Sequence, residues 1–228
     1  MTQIIFSNKR YDFVDYYVGS LRKWFPIPDG AFFYSKYGLT YNLTLECENR
    51  LFVESQISAM YLRGRYYNTD DIDLKRVSYR VSKAIDSFLS ESIRAHDISK
   101  FTKNALLCLD KYDIQKKRRD NYIYLYNSIV ALNSIDIKPV CSNIEEVTTA
   151  PLYFPIYVKN RNSLQRYMTE FNIYLPILWP VDEESVLIND TVGYIYNNLI
   201  CIPCDQRYNH YDMQKVIDKI KEWIKEKE

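Results

Sequence analysis

Glycine is scarce: five occur in 228 residues, Gly19, Gly30, Gly38, Gly64 and Gly193, and no two lie within six positions of each other. A P-loop needs paired glycines ahead of Lys-Ser/Thr, and a dinucleotide fold needs Gly-x-Gly-x-x-Gly, because only glycine lets backbone amides close on a phosphate. Both are excluded. Histidine is scarcer still; His96 and His210 are too far apart for a local zinc pair, so histidine-centred metal chemistry is not expected. Neither sign of charge dominates, with 30 basic and 29 acidic residues, so no global field steers the chain to nucleic acid or an acidic membrane. No segment approaches the ~18 apolar residues of a membrane helix, and the N-terminus is not a signal peptide. Five cysteines, an odd number, do not make a disulfide framework and suit a reducing compartment. A cytoplasmic protein with small-molecule or protein partners, no nucleic acid and no membrane is the expectation.

What is present is a large apolar and aromatic fraction, 47% and 15%, with 22 tyrosines. That suffices for one large domain or two modest ones. Up to about residue 40 the pattern is strand-like. Phe13 to Ser20 and Ala31 to Tyr34 flank a loop carrying Arg22-Lys23-Trp24-Phe25 and the turn Pro28-Asp29-Gly30.

From about 46 to 133 the period is helical. Val53, Ile57, Met60 and Tyr61 form one stripe, and Val77, Val81, Ala84, Ile85, Phe88 and Leu89 a second; a further helix spans about Asp113 to Leu132, with Tyr122, Leu125, Tyr126 and Ile129 inward. After Pro139 a strand over Leu152 to Val158 follows, apolar on both faces, which Pro155 places at an edge or a bulge. A helix over Asn162 to Phe171, a proline-punctuated stretch Leu175 to Pro180, and a strand over Leu199 to Pro203 come next. The last helix is capped by Asn209 and Asp212 and buries Met213, Val216, Ile217, Ile220, Trp223 and Ile224. A second domain is expected from about 138.

Several local patterns carry chemistry in other settings. Cys201-Ile-Pro-Cys204 has redox spacing but falls in a strand rather than opening a helix, so it reads as two small core residues, of which alternation buries one. Lys116-Lys117-Arg118-Arg119 reads as a solvated helix face. Ser20-Leu21-Arg22-Lys23 matches Ser-x-x-Lys, yet the companion Ser-Asp-Asn and Lys-Thr-Gly of penicillin-recognising enzymes are missing. Lys23 also reads as a Schiff-base nucleophile, following a cationic Arg22 and preceding two rings, Trp24 and Phe25, that would desolvate it.

The stretch Asp15-Tyr16-Tyr17-Val18-Gly19-Ser20-Leu21-Arg22-Lys23-Trp24-Phe25-Pro26-Ile27-Pro28-Asp29-Gly30 resembles the cofactor-lysine segment of the DegT/DnrJ/EryC1/StrS sugar aminotransferases, fold-type I enzymes dependent on pyridoxal 5'-phosphate. Ala150 to Val158, Asn172 to Ile177 and Ile200 to Tyr208 are similar to later segments of that family, and Arg119-Asp120-Asn121-Tyr122 resembles its Arg-x-x-Asn helix.

The resemblance implies an α/β chain built as the C-terminal part of such a transferase. Residues 1–44 would be a remnant of the large cofactor-binding domain, 45–137 a helical region and 138–228 an α/β small domain. It implies Lys23 as the lysine of the internal aldimine, Ser20 as a hydroxyl on the cofactor phosphate and Arg207 as a ligand of the substrate carboxylate. It implies an amino-acid donor, a nucleotide-linked keto sugar as acceptor, and a homodimer or a complementing N-terminal half as partner. Only 22 residues precede Lys23, whereas the family places its phosphate turn, stacking ring and pyridinium aspartate there. Gly30-Ala31 also stands where a double glycine is usual. An incomplete site, or a non-catalytic interaction module derived from such an enzyme, is therefore expected of this chain alone.

Overall fold

The computed structural model describes residues 11–38, 45–91, 94–141, 150–178 and 189–226. They form two compact units, Met1–Leu109 and Asp110–Glu228, each mixing helices with a small antiparallel sheet.

In the first unit β1 (Tyr16–Ser20) pairs antiparallel with β2 (Ala31–Ser35), with Tyr16 opposite Ser35 and Ser20 opposite Ala31. Aromatic and β-branched side chains suit a half-covered ribbon of this kind. A 3₁₀ turn, Leu21–Lys23, follows β1 directly, and the amides of Trp24 and Phe25 both donate to the Leu21 carbonyl at 3.0 Å. That tight winding turns Trp24, Phe25 and Ile27 inward, where all three are buried. Two long helices come next, α1 (Arg50–Thr69), capped by the Asn49 side chain, and α2 (Ile72–Glu91). They are joined through Asp70 in a left-handed conformation at φ 52°.

The two helices pack more closely than their apolar stripes suggest. Ala59 and Ser78 are each 1% exposed, and the Ser78 hydroxyl donates to the Ala59 carbonyl at 2.9 Å. Small residues let the backbones approach, so the contact runs along Phe52, Val53, Ala59, Ser78 and Ile85. Tyr61 and Val77, expected inward, are exposed as a result, and so is Ala84; the side chains of Phe88 and Leu89 lie outside the described residues. A short helix, α3 (Lys100–Cys108), capped by Ser99, ends the unit.

The second unit opens with α4 (Lys111–Ala131), capped by Asp110. Its sheet has the order β3 (Ile137–Pro139), β4 (Tyr153–Val158), β5 (Leu199–Pro203), all antiparallel. The helices α5 (Arg161–Glu170), α6 (Asp190–Asn198) and α7 (His210–Lys225) complete it. Phe154, Ile156 and Val158 of β4, with Ile200 and Ile202 of β5, meet Leu125 and Ile129 of α4, Leu164 and Met168 of α5, and Ile217 and Ile220 of α7 in one core. Each such side chain contributes about 1.5–3 kcal/mol by leaving water. The capping box of Asn209 and Asp212 is formed as the sequence predicts.

Two expectations are corrected here. The β4 strand is central, not at an edge. In an antiparallel ladder a residue points its N–H and C=O to the same side, and the Pro155 carbonyl accepts from the Val140 amide at 3.2 Å. The missing donor therefore faces the end of the three-residue β3 and leaves the ladder to β5 whole. The helical region is shared between the units: α4 joins the second because its Tyr122, Leu125 and Ile129 face the sheet, so the second unit starts at Asp110 rather than near 138. The proline-punctuated stretch is irregular over 173–178, its Trp179 and Pro180 lying outside the described residues.

The basic run is also not one solvated face. Lys116 and Lys117 are exposed and pair with Asp120 and Asp113 four residues away, at 2.9 and 2.8 Å. Arg118 is 3% exposed; its Nε donates to Gln206 Oε1 at 2.7 Å and its Nη1 to the Pro151 carbonyl at 3.0 Å. One turn on, Asn121 Nδ2 faces the carbonyls of Asp205 and Tyr208 at 3.2 and 3.0 Å. Arg118 and Asn121 thus pin the loop after β5 onto α4.

Candidate functional site

Lys23 closes the 3₁₀ turn at the end of β1 and is exposed, as is Arg22, while Trp24 and Phe25 are buried. The two rings therefore anchor the turn from below and do not cover the lysine amine, contrary to the desolvation expected from their place in the chain. Ser20 is half-buried, and its hydroxyl makes no capping bond to the turn that follows.

Between the β1–β2 ribbon, the start of α1 and the segment 94–98 lies a cleft of about 980 Å³. Its walls are mainly apolar, from Tyr16, Val18, Phe33, Phe52, Val53 and Ile98, and Ser20 and Arg22 border it. Lys23 is not among the residues that line it. Along the ribbon Tyr16, Val18, Ser20, Ala31, Phe33 and Ser35 share one face, and all six line the cleft.

Asp29 is the buried carboxylate of this region. It accepts from the Ser99 amide and the Ser99 hydroxyl, both at 2.7 Å, and from the Thr102 hydroxyl. This ties the turn ahead of β2 to the N-terminus of α3, where an acceptor is favoured by the unpaired amides. The closing Gly30 has φ +109°, a backbone conformation that side-chain-bearing residues rarely adopt, so a substitution there is strained; a Cβ would also stand 2.9 Å from Ile98 Cδ1, which would have to move. Nothing in the sequence beyond the Pro-Asp-Gly turn signalled the clamp, because its partner residues are some 70 positions away.

His96 makes a lone bridge with Glu46, and its Nδ1 lies 2.9 Å from the Cys47 carbonyl. A carbonyl only accepts, so Nδ1 carries the proton. Arg94 pairs with Glu46 at 2.9 Å and Lys103 with Asp97 at 3.0 Å.

In the second unit Arg207 grips Asp205 with a two-pronged fork, Nε to Oδ1 at 2.7 Å and Nη2 to Oδ2 at 2.8 Å. Burial favours the neutral form of Asp205, but the Arg207 fork, with Arg118 adding its charge, outweighs it and holds the carboxyl below its usual range. The fork to Asp205 spends two of the five guanidinium N–H groups. Cys201 and Cys204 are both buried, although alternation was expected to bury one. Cys204 lies beyond the last residue of β5, where alternation no longer applies and the pinned loop turns it inward. Burial pushes the thiols up, Cys201 to about 11 and Cys204 to about 12. They are core residues. Among the described residues no cluster of three or more His, Cys, Asp or Glu side chains could hold a metal ion.

Pyridoxal phosphate requires, beside its lysine, a partner for the pyridinium nitrogen and a cradle for the phosphate. Lys23 offers an exposed amine outside the cleft, and the acidic side chains bordering the cleft, Asp29 and Asp97, already have partners. The described residues of the first unit do not by themselves fit the cofactor.

No protein-family model matches the chain, and no curated protein does. Among solved structures it is similar to the sugar aminotransferase CalS13 from Micromonospora echinospora, at 14% identity and a TM-score of 0.41 over 49% of this chain and 31% of that one. It is similar to the aminotransferase TlmJ from Streptoalloteichus hindustanus, at 11% identity and a TM-score of 0.44 over 51% and 33%. A DegT DnrJ EryC1 StrS aminotransferase from Brucella abortus matches at 11% identity and a TM-score of 0.40 over 49% and 31%. The chain thus spans about a third of the length of each of these structures.

Proposed function

We propose that the chain is an aminotransferase-like portion whose amino-transfer chemistry needs groups from outside it. In this reading Lys23 supplies the amine to a pyridoxal phosphate site, Ser20 a phosphate contact and Arg207 a carboxylate contact. A complementing N-terminal half supplies the ring and phosphate holders, the donor is an amino acid and the acceptor a nucleotide-linked keto sugar. The observation that carries it is the lysine turn itself: an exposed amine fixed at the end of β1 by the buried anchors Trp24, Phe25 and Ile27, within the segment that resembles the cofactor-lysine segment of the family.

The test is to add pyridoxal phosphate to the purified chain, reduce with borohydride and map the modified lysines by mass spectrometry. Lys23 should be modified ahead of other exposed lysines such as Lys103, the yellow band should vanish in Lys23→Ala, and the chain alone should transaminate nothing. Even modification of all exposed lysines removes the cofactor reading, and turnover by the chain alone removes the incomplete site.

A second reading, a non-catalytic interaction module, is favoured by the ribbon. The Tyr16, Val18, Phe33 and Phe13 side chains are 39–81% exposed, and a two-stranded ribbon is marginal without further covering. A homodimer through this face is the form it would take; light scattering that finds only monomer at high concentration would count against it.

A further inference from the structure

The cleft of the first unit has properties that the lysine reading does not use. Its volume of about 980 Å³ lies at the upper end of the roughly 300–1,000 Å³ of small-molecule sites. The walls are aromatic and aliphatic, and its polar groups divide sharply by whether their bonding is spent. Asp29 is satisfied by Ser99 and Thr102, Asp97 by Lys103, Arg94 by Glu46, and the Asn49 side chain by the Phe52 amide. The Arg22 guanidinium is different. It lies 5.6 Å from the centre of the Phe52 ring and has no carboxylate partner among the described residues. The Ser20 hydroxyl, two residues earlier on the same wall, makes no hydrogen bond among the described residues.

A guanidinium with no carboxylate partner and a hydroxyl with no hydrogen bond among the described residues stand beside apolar walls, while Asp97 is paired with Lys103 and the buried Asp29 turns its oxygens to Ser99 and Thr102; this suits an anion on an apolar body held at Arg22. A planar guanidinium resting on a ring presents its free N–H groups as a fork that matches a carboxylate. The ring under it, with Val18, Phe33 and Val53 nearby, suits a flat apolar ligand better than a sugar.

We propose that this cleft binds a small aromatic carboxylate, its carboxylate held by Arg22 and Ser20 and its ring laid against Phe52 and Phe33. Ser20 is shared with the cofactor reading, but Arg22 is not and Lys23 does not line the cleft, so Arg22→Gln tests the cleft separately from Lys23→Ala.

The test is calorimetric titration of the whole chain with indole-3-propionate and with its neutral amide. The acid should bind one to one, and the amide about tenfold or more weaker, the scale of a lost charge-assisted bond. Arg22→Gln should bring the acid down to the affinity of the amide while leaving the amide unchanged. Arg22 is exposed, so the variant folds, which circular dichroism checks. Ser20→Ala should weaken the acid by a smaller factor, and Arg76→Gln, which removes an exposed cation on α2 away from the cleft, should leave it unchanged. The proposal is overturned by lack of saturable binding, by equal affinities of acid and amide, by wild-type affinity in Arg22→Gln, or by an equal loss in Arg76→Gln.

Discussion

Ser99 gives both its backbone N–H and its hydroxyl to the Asp29 carboxylate, each at 2.7 Å, and so joins the turn before β2 to the N-terminus of α3. The Ser99 oxygen also accepts from the Thr102 amide at 3.1 Å. One carboxylate thereby holds the cap of a helix in place, and all three residues are buried.

Asp29→Ala should therefore destabilise the chain by about 3 kcal/mol, because buried donors lose a charged acceptor and cannot reach water. Asp29→Asn, which keeps one acceptor oxygen, should lose about half of that. Urea denaturation followed by circular dichroism measures both; a loss under about 0.5 kcal/mol for Asp29→Ala would show that the clamp is not holding the helix.

Arg118→Met should cost about 2–3 kcal/mol by abandoning Gln206 and the Pro151 carbonyl in a buried setting. Lys116→Gln, two residues away on the solvent side, should stay within about 0.5 kcal/mol, as exposed ion pairs do. Equal effects of the two substitutions in the same denaturation assay would contradict the different burial of the two side chains.

In the native chain a disulfide reagent such as dithionitrobenzoate should titrate Cys47, Cys108 and Cys141 quickly, since these three are exposed, and reach Cys201 and Cys204 only on unfolding. The raised thiol pKa values favour the protonated, folded form. Their contribution to stability is complete below the unfolded thiol range of about 8.5 and is lost as pH rises through about 11 and 12. Five fast thiols at neutral pH would count against the buried placement.

Asp205 has the opposite sign. Its folded pKa is depressed below the ordinary carboxylate value of about 3.9, so its contribution is complete above that value and is lost as pH falls through the folded pKa. Arg207→Gln removes the fork, and the acid limb of the stability curve should then move toward neutral pH. An unchanged limb, measured by thermal unfolding from pH 3 to 7, would mean that the fork carries no stability.

Much of the local structure was legible in the sequence. The strand over Leu199 to Pro203 and the Asn209–Asp212 box before the last helix depend on near neighbours, and the structure has both where they were expected. α6 was not foreseen, and the α1–α2 stripes were misjudged, because a short helix has little periodicity and because small residues at a close crossing leave no apolar signal. Lys23 and Ser20 were singled out from the segment around them, whereas the cleft was invisible, being assembled from residues as far apart as Tyr16 and Ile98.

Residue identity within a few positions was enough for most element types, for the Asn209–Asp212 cap and for the exclusion of the common phosphate loops. That Pro155 sits in a central strand, that Arg118 is a buried pin, that both members of the Cys201–Cys204 pair are sequestered and that Lys23 stands apart from the cleft Ser20 borders came from long-range packing. Each turns on which face of an element meets a segment distant in the chain, and burial and hydrogen bonding at such distances leave no mark on local pattern.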